Sequence, residues 1–142
     1  MSYAQDTTAV TDGADIETSW GNGVHGDISR MFRGKKGIII LTDGSTVNID
    51  GNADVNIFQL TLGGNRTLTI NNMSIGQAIL LRLKQDATGN RSITSWFSGA
   101  TVRFPSETEP SLSTGSGEVD AFLILCVDTD VYEVYFAGFG IK

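Results

Sequence analysis

The chain of 142 residues holds one histidine, His25, and one cysteine, Cys126. A serine nucleophile would need that histidine beside it, yet no serine lies in a Gly-x-Ser-x-Gly elbow. His25 sits next to Gly26 in a glycine-rich stretch and reads as a solvated side chain. A structural zinc site takes about four His or Cys ligands, and two in the whole chain cannot supply them. Asp50-Gly51-Asn52-Ala53-Asp54 imitates the opening of a calcium loop. Val55 stands where the loop needs glycine, and Thr61 where it needs a bidentate carboxylate. Glu107 and Glu109 lie two apart in a polar loop, where paired carboxylates are ordinarily solvated. Gly34-Lys35-Lys36-Gly37 lacks the frame of a phosphate-binding loop. The residues therefore point away from an enzyme and from any cofactor or metal.

The elements around these residues read as strands. Glycine is abundant at 17 and proline scarce at 2. Ile38-Ile39-Ile40-Leu41 is β-branched without a helical period, and Asp43-Gly44 after it is a strong hairpin dipeptide. Arg66-Thr67-Leu68-Thr69-Ile70 alternates, with Leu68 and Ile70 inward. From Gln77, the residues Ile79, Leu81 and Leu83 share one face, and Leu80, Arg82 and Lys84 the other. Val119 to Val127 is apolar on both faces and reads as a central strand. Leu81, Leu123 and Leu125 are accordingly expected in the core, and Cys126 as a small buried residue. Asp128-Thr129-Asp130 turns into the closing strand from Val131 to Phe136. Turns every eight to twelve residues predict an all-β fold, an antiparallel β-sandwich or barrel-like domain. A short β-helix is the alternative, since Asp43-Gly44 and Asp50-Gly51 recur.

The first 34 residues differ. Residues 1–14 are small, polar and aperiodic, and read as an extended arm. Ile16, Trp20, Val24, Ile28 and Phe32 recur every four residues, but Gly21, Gly23 and Gly26 break a continuous helix into short helical turns. The division expected is an attachment segment over 1–34 and a β-domain over 35–142. Ile16 and Trp20 are the apolar anchors of the arm.

The net charge of −6 argues against nucleic-acid or anionic-membrane partners. Met1 to Val10 lacks the basic and apolar regions of a secretory signal, and no run is long enough for a membrane-spanning helix. A chain made in a cytoplasm and kept soluble is the expectation. Aromatic residues gather in two places. Trp96 and Phe104 mark the loop 95–117, the best candidate for a receptor-facing segment. Tyr132, Tyr135, Phe136 and Phe139 crowd the last strand, as a core with its lid or as a contact between subunits.

Residues 63–139 resemble a β-domain common in small virion proteins of tailed bacteriophages. The resemblance runs through Gly64-Asn65-Arg66-Thr67-Leu68-Thr69-Ile70, Gly76, Gln85-Asp86-Ala87-Thr88-Gly89-Asn90-Arg91 and Trp96. It continues through Val102-Arg103-Phe104-Pro105, Pro110-Ser111-Leu112-Ser113-Thr114 and Val119-Asp120. The family pattern has Trp-Pro where this chain has Trp96-Phe97, and glycines where it has Ser106-Glu107. Asp15-Ile16-Glu17-Thr18-Ser19-Trp20 is similar to attachment segments that begin phage fibre proteins. The resemblance implies a place on the virion and a homotrimer whose neighbours are capsid or tail proteins. A head decoration or head-fibre protein is the first expectation. A short tail fibre or tip adhesin meeting a host receptor or glycan is the second.

Overall fold

The computed structural model describes residues 36–142. The arm and its short helical turns, with Ile16, Trp20 and His25, lie outside them. Nine strands make up the described part: β1 (Ile39–Ile40), β2 (Thr46–Asp50), β3 (Ile57–Leu62), β4 (Arg66–Asn71), β5 (Ala78–Gln85), β6 (Ile93–Ser95), β7 (Thr101–Arg103), β8 (Val119–Asp128) and β9 (Val131–Ile141). Among the described residues the one helical element is a short 3₁₀ turn, Pro105–Glu107. The fold is all-β.

The strands form two sheets, one of six in the order β1-β3-β5-β8-β9-β7 and one of three in the order β2-β4-β6. The pairing corrects the antiparallel expectation, because the larger sheet is mixed. β1, β3 and β5 run parallel, as do β2, β4 and β6, and β7 runs parallel to β9. Only β5 with β8 and β8 with β9 are antiparallel. From β1 to β6 the chain alternates between the sheets and lays each strand beside the one two elements earlier. This is the winding of a short parallel β-helix, closed by the β8–β9 hairpin.

The turn residues show why no hairpin forms at Asp43-Gly44. The strands on either side of it belong to different sheets. Asp43 instead accepts two hydrogen bonds from Arg66, at 2.7 and 2.6 Å, and ties one coil to the next. The corner at Gly51 works in the same way. Its N–H donates to the Asn71 carbonyl at 2.8 Å, and a Cβ there would lie 2.8 Å from the backbone oxygen of Asn72. Only glycine allows so close a stack. Asp50 Oδ1 accepts from the Asn52 N–H and from Asn72 Nδ2, so the calcium-like run serves as a structural corner.

Alternation decides the core. Ile39, Phe58, Leu81, Phe122 and Phe136 stand opposite one another across five strands of the larger sheet. Val47, Ile49 and Leu68 of the smaller sheet join Phe58, Leu81 and Phe122 in one buried cluster. Two polar side chains are buried with it, Gln85 and Asp120. Both are fully engaged. Gln85 donates to the carbonyls of Arg91 and Ser113 and accepts from the Arg91 N–H. Asp120 accepts from the N–H and hydroxyl of Ser113, each at 2.7 Å, and from the Gly140 N–H at 2.8 Å. Satisfied in this way, buried polar groups fix loops without a desolvation penalty left open.

Candidate interaction surface

The two aromatic groups seen in the sequence, Tyr135 apart, form one cluster. Trp96 meets Phe122 edge-to-face at 5.0 Å between ring centres, Phe104 at 5.8 Å and Phe97 at 5.9 Å. Phe97 meets Tyr132 at 5.7 Å. Phe122 in turn meets Phe136 and Phe139, which touch each other at 5.5 Å. The inner end of this chain of rings is core. Trp96 is 5% exposed, so the receptor-facing position expected for it is not available on this domain. Phe104 is partly buried against the core. Tyr132 is buried as well, and burial pushes its phenol up from the ordinary value. The structure therefore separates Tyr132 from the other three residues expected at a subunit contact.

Those three reach the surface. Tyr135 is 42% exposed, Phe136 39% and Phe139 46%. Ile141 is exposed beside them. Leu123 is also exposed, at 41%, and overturns its expected place in the core. The reason is register. In β8 the inward positions are Asp120, Phe122, Ile124 and Cys126, which turns Leu123 and the half-buried Leu125 outward. Ile57, Leu80, Leu123 and Tyr135 then stand opposite one another in an apolar row across the outer face of the larger sheet. Exposed apolar residues grouped in this way mark a contact surface, whereas scattered ones do not.

Charged groups flank the row. Arg82 and Lys84 follow Leu80 on the outer face of β5, half-buried, opposite Ala121 and Val119. Neither has an acidic partner among the described residues. On the other side lies Glu133, opposite Arg103 and Leu125. The Tyr135 hydroxyl donates to Glu133, and that bond pushes the phenol up. Arg103, Phe104, Pro105, Glu133, Val134 and Tyr135 line an open groove of about 310 Å³ where β7 parts from β9.

No protein-family model matches the chain, and neither does any curated protein or solved structure. The polar residues of the loop after β5 have visible structural work. Asp86 accepts from the N–H groups of Thr88 and Gly89 and pairs with Arg91 at 2.9 Å. The Arg91 guanidinium holds the Asp86 carboxyl down at about 2. Asn90 donates its N–H to the Thr114 carbonyl, and Gly89 presses so close to that oxygen that a Cβ would lie 2.4 Å from it. Gln85–Arg91, Ser113-Thr114 and Asp120 are thus one hydrogen-bonded knot. Ser106 and Glu107 both stand at φ 54, the left-handed region that glycine favours. Phe97 stands at φ 51, a conformation closed to proline.

Among the described residues no three His, Cys, Asp or Glu side chains converge on a metal-sized space, and no helix is long and apolar enough to cross a membrane. Cys126 is buried, and burial pushes its thiol up. Sequence reasoning missed the knot. Its signal was a polar residue at an inward position of an alternating strand: Gln85 after Leu83, and Asp120 before Phe122.

Proposed function

We propose that this chain is a non-catalytic structural subunit on the outside of a bacteriophage particle, a homotrimeric head decoration or head-fibre protein. The observation that carries the reading is the apolar surface of the β8–β9 hairpin. Leu123 and Tyr135 are exposed on its outer face, and Phe136 and Phe139 at the rim of the core on its other face, more apolar surface than a lone subunit has reason to keep. The resemblance over residues 63–139 supports a virion setting and three-fold assembly. The arm would join the subunit to its capsid or tail neighbours through Ile16 and Trp20. Two experiments test this. Sedimentation equilibrium of the purified chain should give three times the chain mass. A chain truncated to begin at Gly21 should fold and trimerise but be missing from particles. A monomer at all concentrations, or normal incorporation of the truncated chain, would count against the trimer or the anchor respectively.

The groove beside Phe104 favours a second reading, a short tail-fibre or tip adhesin. Arg103 and Glu133 offer hydrogen bonds to a receptor or glycan, and Tyr135 and Phe104 a stacking surface. Phe104→Ser with Arg103→Ala should then abolish adsorption to host cells while heads keep their stability. The decoration reading expects adsorption to persist.

A further inference from the structure

The homotrimer above leaves open which surfaces meet, and the outer face of the larger sheet supplies an answer. We propose that this face docks a second copy of the chain, with the β9 half of one subunit, Glu133 and Tyr135, seated against the β5 half of the next, Leu80, Arg82 and Lys84. The proposal rests on the homo-oligomer reading and specifies its interface.

Charge complementarity argues for a copy of this chain over another partner. Arg82 and Lys84 are half-buried cations without an acidic partner among the described residues. Such groups lose solvation unless an opposite charge meets them. The acid that fits is on the same face, but out of their reach within one subunit. The apolar row Ile57, Leu80, Leu123 and Tyr135 separates Glu133 from Arg82, and the two lie on strands with β8 between them. A neighbouring copy brings its Glu133 to these cations while its Tyr135 covers Leu80 and Leu123. The Tyr135 hydroxyl already holds the Glu133 carboxylate, so the acid is positioned before docking. A trimer cannot be built on a two-fold contact, so the β9 half of each subunit meets the β5 half of the next head-to-tail, the kind of contact that closes into a ring.

The test is a charge exchange in the full chain, read by sedimentation velocity over a concentration series. Arg82→Glu with Lys84→Glu places acid against acid, and Glu133→Lys places base against base. Each should raise the concentration at which trimers separate by about tenfold or more. The triple exchange should return it to within about threefold of the parent, since complementarity is restored in the opposite sense. All positions are on the sheet's outer face, and tryptophan fluorescence checks that each variant keeps its core. A monomeric parent would remove the homo-oligomer reading and this proposal with it. A trimeric parent unaffected by either exchange would leave the trimer standing and overturn this interface. Trimers weakened by the single exchanges but not restored by the triple would overturn the pairing of Glu133 with the β5 cations. Intact trimers that no longer join particles would assign the face to a different protein.

Discussion

Leu81 and Leu123 are leucines on neighbouring strands, and the account assigns them opposite fates. Leu81 is buried between Phe58 and Phe122 in the register of the larger sheet. Leu81→Ala removes three carbons from the core. Transfer alone is worth about 0.8 kcal/mol per carbon, and the cavity left between two rings raises the total to about 3–5 kcal/mol. Leu123 keeps 41% of its surface exposed in the lone subunit. Leu123→Ala therefore loses about three-fifths of the transfer term and opens no cavity, a cost of roughly 1–1.5 kcal/mol. Urea melts at low protein concentration, where subunits are apart, give both numbers from the shift in midpoint at constant slope. On the proposed association the same side chain would be buried again, so at high concentration the Leu123 variant should show a larger loss. Equal costs for the two variants at low concentration would refute the register that turns Leu123 outward.

Other outcomes follow from the same structure. Asp86 is held at about 2 by Arg91, and the Arg66 guanidinium lowers the Asp43 carboxyl, against an ordinary value of 3.8. A depressed carboxyl stabilises the fold above its unfolded value, and that stability is lost as pH falls. Melting temperature should hold from neutral pH to about 4 and then drop toward 2, less steeply in Asp86→Asn. Gly89→Ala should destabilise by more than about 1 kcal/mol in a thermal melt, since it adds a left-handed strain to a backbone clash. Ser106→Gly, at φ 54 on the surface, should be neutral or stabilising by up to about 1 kcal/mol. Trp96→Ala should cost about 3–5 kcal/mol, visible by circular dichroism, so any loss of adsorption in that variant reports damage to the core.

Much of the fold is legible locally. Strict alternation in β4 and β5 places Leu68, Ile79, Leu81 and Leu83 inward without reference to any partner strand. The turn at Asp128–Asp130 is equally local, with Asp130 at φ 54. Pairing is not local. Asp43-Gly44 looks the same at the tip of a hairpin and at the corner of a coil, and what distinguishes them is Arg66 beyond two further strands. For Leu123 the sequence offers no guide, because β8 is apolar on both faces, which leaves alternation no contrast from which to choose a side. At the candidate surface, period two along β9 puts Tyr132 and Val134 inward and Tyr135 outward. The same period and register put Phe136 opposite Phe122 at the rim of the core, and a shift at Ala121 then sets Gly138 opposite it. No run of residues shows such a shift. Period two along β5 places Arg82 and Lys84 on the outer face, but that no acid among the described residues meets them depends on strand pairing, which no single run carries.

The proposed state of this chain is a three-fold assembly on the outside of a phage particle. Cryo-electron microscopy of particles carrying a tagged copy of the chain tests it most directly. Labelled density should lie on the outer surface with three-fold symmetry, the β8–β9 hairpins buried between subunits. Purified particles without the chain, or labelled density containing single separate subunits, would contradict it.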